Sequence, residues 1–100
     1  MNEYILFMHE DVADAAIADD GARWDKYLSA LRASEQFDGG SSIGPGILAR
    51  KGSAELPAPR RVTGYIRVRA ENLEAAKRFL AGNPVYEAGG TVELRELPRE

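Results

Sequence analysis

The chain carries a single histidine, His9, directly after the apolar run Tyr4-Ile5-Leu6-Phe7-Met8. An imidazole titrates in the physiological range, and the end of a buried strand beside a cleft is a common seat for acid–base chemistry. The sequence therefore singles out His9 as the acid or base, with Asp11, or Glu10 beside it, as the carboxylate that orients the ring. The competing reading is a strand-end imidazole bonded to a backbone carbonyl or to water. With no cysteine, a thiolate nucleophile, a disulfide framework and a thiolate metal site are excluded, and one histidine does not make a structural zinc site. Gly40-Ser41-Ser42-Ile43-Gly44 has the spacing of a nucleophile elbow with Ser42 at its centre, but a strand and a polar loop follow where the elbow needs a helix. The segment also lacks the Gly-Lys-Ser/Thr ending of a phosphate loop. Its glycines read as a bend, and Ser41 and Ser42 as hydrogen-bonding groups. No metal or cofactor is expected, which leaves cofactor-free proton transfer or plain binding.

Binding candidates come from strand alternation. Val62 to Arg69 places Val62, Ile66 and Val68 on one face and Thr63, Tyr65, Arg67 and Arg69 on the other. In the last strand, Glu93 and Arg95 lie opposite Val92 and Leu94. Arg67 then either pairs with Glu93 or Glu87 in an ion network at a subunit contact, or anchors a small carboxylate or enolate. Tyr86 and Glu87, in the segment Asn83 to Gly90, are expected over one end of the sheet. Ser41, Tyr65, Arg67, Tyr86 and Glu87 form the expected substrate-binding set.

The elements that must position these groups follow from the order of patterns along 100 residues, a length that suits one domain, 1–100. Tyr4 to Met8 reads as a strand covered on both faces. The acidic stretch Glu10 to Asp20 reads as a solvated loop with a helix start. Trp24, Tyr27, Leu28 and Leu31 mark an amphipathic helix over about Asp20–Glu35, capped by Asp19 or Asp20 and ended by Asp38-Gly39-Gly40. An irregular strand is expected around Ile43–Arg50, bent at Gly44-Pro45-Gly46, followed by a loop from Gly52 to Arg61 and the strand Val62–Arg69. Leu73, Ala76, Phe79 and Leu80 mark a second helix, capped by Asn72, over about Leu73–Ala81; a helix stop and hairpin-like turn follow, and Thr91–Leu97 alternates as the last strand. The sum is β-α-β-β-α-β: an α+β ferredoxin-like sandwich with a four-stranded antiparallel sheet and two helices on one face.

Sixteen acidic against thirteen basic residues give a net charge of −3, the wrong sign for a default nucleic-acid binder. The apolar run at Tyr4 to Met8 has no basic lead-in and is too short for a signal peptide or membrane span, so no membrane partner and a cytoplasmic location are expected. With both helices on one side, the other face of the sheet lies open although the first strand is apolar on both sides. Burying a Leu- or Phe-sized side chain contributes about 1.5–3 kcal/mol. A second copy packed sheet to sheet, giving a dimeric α+β barrel, is the expected cover.

Tyr4-Ile5-Leu6-Phe7-Met8, Phe37-Asp38-Gly39-Gly40, Thr63-Gly64-Tyr65 and Asn83-Pro84-x-Tyr86-Glu87-x-Gly89-Gly90-x-Val92-Glu93, in that order, resemble the YCII-related family across nearly the whole length. The resemblance implies a ferredoxin-like fold, a homodimer and a cleft involving histidine and an acid; some members look like lactone-processing or dehalogenase-type enzymes, and some are linked to regulatory proteins. The Asp-Gly-Pro-Phe signature that many relatives carry before the third strand is missing, and Pro57-Ala58-Pro59-Arg60-Arg61 stands in its place. The functional expectation is a cofactor-independent enzyme moving a proton on a small aromatic or lactone-like acid. A His9 turned to solvent would instead fit a non-catalytic dimeric module that binds a ligand or a regulatory protein partner.

Overall fold

A computed structural model describes residues 1–99. Four strands, β1 (Asn2–His9), β2 (Phe37–Ser42), β5 (Val62–Ala70) and β6 (Val92–Leu97), form one antiparallel sheet in the order β2-β5-β1-β6. The helical segments α1 (Ala15–Ala18), α2 (Gly21–Ala33), α3 (Leu73–Ala76) and α4 (Pro84–Glu87), with a 3₁₀ turn at Lys77–Leu80, supply the second layer. This is the expected ferredoxin-like α+β plan, with more helical pieces than the two helices read from the sequence.

Alternation along β1 sets the layers. Tyr4, Leu6 and Met8 are buried beneath the helices, while Ile5, Phe7 and His9 are half-buried on the opposite face. Ile66, Val68 and Ala70 of β5 join the first set, and Tyr27, Leu31, Ala76, Phe79 and Val85 close the core from above. Burial pushes the Tyr27 phenol above its ordinary pKa, and its hydroxyl donates to the Phe79 carbonyl at 2.6 Å.

The sequence placed several boundaries differently. The second sheet strand is Phe37–Ser42 rather than Ile43–Arg50. Gly39 takes φ +95°, the register shifts between Phe37 and Gly40, and a Cβ on Gly40 would lie 2.3 Å from the Tyr65 carbonyl oxygen, so only glycine lets this strand approach β5. Ile47–Leu48 (β3) leaves the sheet and pairs with Leu56–Pro57 (β4), which converts part of the expected Gly52–Arg61 loop into a two-stranded ribbon. Within the acidic stretch, Asp14 caps α1 through the amides of Ala16 and Ile17. Asp20 caps α2 as expected, but the helix stops at Ser34 and Glu35, the latter at φ +61°, ahead of Asp38-Gly39-Gly40. The second helix is short and continues as the 3₁₀ turn, with Leu73 exposed rather than in the apolar stripe. The expected hairpin-like turn after Gly82 is instead α4: buried Asn83 accepts hydrogen bonds from the amides of Val85 and Tyr86, and Pro84 fills the first helical turn.

Candidate functional site

Pairing across the sheet builds a transverse row on the open face. Ser41 opposes Tyr65, Tyr65 opposes Phe7, and Phe7 opposes Glu93, so one residue from each of β2, β5, β1 and β6 stands in line. His9 lies two residues beyond Phe7 on the same face, at an irregularity in the β1–β5 register. Its Nε2 is 2.8 Å from Glu93 Oε1, and the other oxygen of that carboxylate accepts from Arg95 Nε at 2.5 Å. Arg95 first, and His9 second, hold the Glu93 carboxyl below the usual carboxylate range. An ionised carboxylate can only accept, so Nε2 must donate, and the neutral ring then carries its lone pair on Nδ1. Among the described residues no hydrogen-bond partner of Nδ1 is found.

The carboxylate bonded to His9 is thus Glu93 and not Asp11. Asp11 accepts from the Thr91 amide at 2.7 Å and the Thr91 hydroxyl at 2.6 Å; the hydroxyl foremost, then the amide, lowers its pKa. Its work is to tie the segment after β1 to the start of β6. Arg67 is also corrected: its guanidinium donates to the Asp38 carbonyl at 2.9 Å, with neither Glu93 nor Glu87 as partner. The neighbouring Arg69 pairs with the Asp38 carboxylate at 3.1 Å. Tyr86 and Glu87 lie in α4, within the helical layer, rather than joining the open-face row. Of the expected set, His9, Ser41 and Tyr65 share the open face with Arg67, whose guanidinium is bonded to the Asp38 carbonyl, while Asp11 is bonded to Thr91 and Tyr86 and Glu87 lie in α4.

Two adjoining cavities flank this row. One, of about 490 Å³, is lined by His9, Glu10, Val12, Asp19, Arg60 and Thr63 among others. Here Arg60 lies 3.7 Å from Glu10. The other, of about 500 Å³, runs between α2 and β2, with Trp24, Leu28 and Arg32 on one side and Phe37, Gly39 and Gly40 on the other. Both cavities include Trp24, Ser42, Thr63 and Val85 in their walls, so they adjoin as the two arms of a groove. The Trp24 indole is fixed by donating to the Ala18 carbonyl at 2.7 Å and by an edge-on contact with Tyr27.

The solved structure of 5-chloro-2-hydroxyhydroquinone dehydrochlorinase from Burkholderia phenoliruptrix AC1100, in complex with 2,5-dihydroxybenzoquinone, superposes over 98% of this chain and 95% of its own, with a TM-score of 0.56 and 16% sequence identity. The likeness is one of fold. No protein-family model matches the chain, and no curated protein matches it.

Sequence reasoning used Trp24 and Leu28 only as core-facing helix positions, named Thr63 only by its strand face and motif, and did not reach Arg32. The spacing of Trp24, Leu28 and Arg32 at i, i+4 and i+8 was a legible signal, because such residues share one helix face. That this face borders a groove depends on where β2 lies. No group of three or more His, Asp or Glu side chains suited to a metal ion occurs among the described residues, and no described helix is long and apolar enough to cross a membrane.

Proposed function

We propose that the chain is a cofactor-independent enzyme that transfers a proton on a small aromatic or lactone-like acid, with His9 as acid or base and Glu93 as the carboxylate that orients it. The observation carrying this reading is the 2.8 Å bond between His9 Nε2 and Glu93 at the mouth of the groove. It fixes the tautomer and presents Nδ1 as the proton-accepting atom, an arrangement of base and orienting group suited to general acid–base chemistry. The imidazole side chain is 26% exposed and engaged, which speaks against the solvent-directed histidine of a non-catalytic module. The fold neighbour's single-ring ligand is on the scale this groove admits, and that supports a ring-bearing substrate. A homodimer closed over the open face belongs to the same reading, since Ile5, Phe7 and Tyr65 remain only half-buried there.

The test is a screen of single-ring acids and lactones for turnover or solvent-proton exchange, followed by variants. His9→Gln is expected to lower kcat by about 100-fold or more. Glu93→Gln should lose less and should shift the pH profile, because a neutral amide no longer holds one tautomer. Full activity in His9→Gln on any substrate so found would remove His9 from the reaction.

A further inference from the structure

The far end of the groove from His9 holds a cation with no counter-charge. Arg32 stands eight residues beyond Trp24 on α2, about 12 Å along the helix axis. It is exposed at the groove wall and makes no ion pair among the described residues. Four nearby arginines are engaged. Arg60 faces Glu10, Arg69 pairs with Asp38, Arg95 pairs with Glu93, and Arg67 donates to the Asp38 carbonyl. Arg67 also lines neither cavity. Of the two arginines that line the groove, Arg32 and Arg60, Arg32 alone has no ion pair among the described residues.

The walls between Arg32 and His9 are aromatic and aliphatic on one side and polar on the other. Trp24 is held rigid by its bond to Ala18, with Leu28 one turn beyond it and Phe37 entering from β2. Ser42 and Thr63 line both this cavity and the one that holds His9. A volume of about 500 Å³ is within the range of small-molecule sites. We propose that this groove binds a single-ring aromatic monocarboxylate, with the ring against Trp24, Leu28 and Phe37 and the carboxylate on the Arg32 guanidinium. Arg32 is thereby the specificity-determining residue for an acidic substrate. A guanidinium suits this task because its planar fork matches a carboxylate with two parallel hydrogen bonds. The inference rests on the reading that a small acid reacts at His9, and it names that acid's class and its anchor.

Trp24 is the sole tryptophan, so its emission reports on the groove directly. Benzoate, benzamide and inorganic phosphate are titrated into the full chain at fixed ionic strength, with calorimetry in parallel to register binding that leaves the emission unchanged. Benzoate is expected to bind saturably, at least about tenfold more tightly than the uncharged benzamide or the ringless phosphate. Arg32→Gln should weaken benzoate by about tenfold and leave benzamide unchanged, while Arg67→Gln and Arg60→Gln keep wild-type affinity for benzoate. The inference is overturned by undiminished benzoate binding in Arg32→Gln, by transfer of the loss to Arg60→Gln or Arg67→Gln, by phosphate matching benzoate, or by no saturable benzoate binding at all. Its fate is separable from that of the enzymatic reading. Arg32-dependent binding together with unimpaired turnover in His9→Gln would retire the acid–base role and keep the anchor, and the opposite pair of results would do the reverse.

Discussion

Glu93 is the residue on which the site's charge balance turns, since it answers both His9 and Arg95 with one carboxylate. Its pKa and that of Asp11 both lie below their ordinary values. A carboxyl depressed in the folded state contributes stability that is complete above its unfolded pKa and is lost as pH falls through the folded value. These two groups should therefore leave stability flat between pH 7 and 5 and erode it below about pH 4. Denaturant titrations at stepped pH check this: Asp11→Asn should flatten the acid limb, because it removes the carboxylate that Thr91 favours. An unchanged acid limb in that variant would show that the Thr91 contacts do not bear on acid stability. The same residue scale explains why sequence adjacency misassigned the partner of His9. Asp11 is two positions away along the chain, but its oxygens are taken by Thr91, while Glu93, 84 positions away, is placed beside the ring by the pairing of β1 with β6.

Among the elements, β2 decides whether the groove exists. Its glycines allow the edge strand to lie against β5 closely enough for the Tyr65 carbonyl to occupy the space of a Gly40 side chain. Gly40→Ala should cost about 1–3 kcal/mol, the range for overpacking a tight contact. Gly44→Ala, where nothing lies within 4 Å, should stay within about 0.5 kcal/mol of wild type. Urea denaturation followed by Trp24 emission measures both, and equal small effects at the two positions would remove the packing argument for Gly40. A continuous apolar run made β1 legible in advance, and alternation of residue type did the same for β5 and β6; along β5 that period of two coincides with one buried face. β2 was not legible: Phe37-Asp38-Gly39-Gly40-Ser41-Ser42 has no such period, and its extended form follows from pairing with β5 rather than from its own side chains.

As a whole molecule the chain is a two-layer slab with Cα extents of 46 × 39 × 19 Å and a radius of gyration of 14.9 Å, above the value of about 13 Å usual for 100 residues. Two apolar surfaces remain uncovered. One is the open sheet face around Ile5 and Phe7. The other is the ribbon of β3 and β4, where Ile47, Leu48 and Leu56 are each at least half exposed. A second copy over the sheet is the cover proposed above, and it predicts a sedimentation mass near twice 10.9 kDa at micromolar concentration. Phe7→Glu should shift that mass to a single chain. A wild-type protein that sediments as one well-folded chain would sink the dimer and leave the groove, which lies within one chain, untouched.

Composition and periodicity by themselves determined the layer plan, the helix-facing and open-facing sides of the regular strands, and His9 as the one titratable ring at a strand end. These are local facts, written in residue type and in spacings of two or of three to four. Tertiary structure alone decided that Glu93 rather than Asp11 meets His9, that Arg67 is occupied by Asp38, and that Arg32 stands free on a groove wall. Each of those depends on which distant segments the sheet brings side by side. Strand register sets such neighbours, and it is fixed by the summed packing of the whole core rather than by any short stretch of chain.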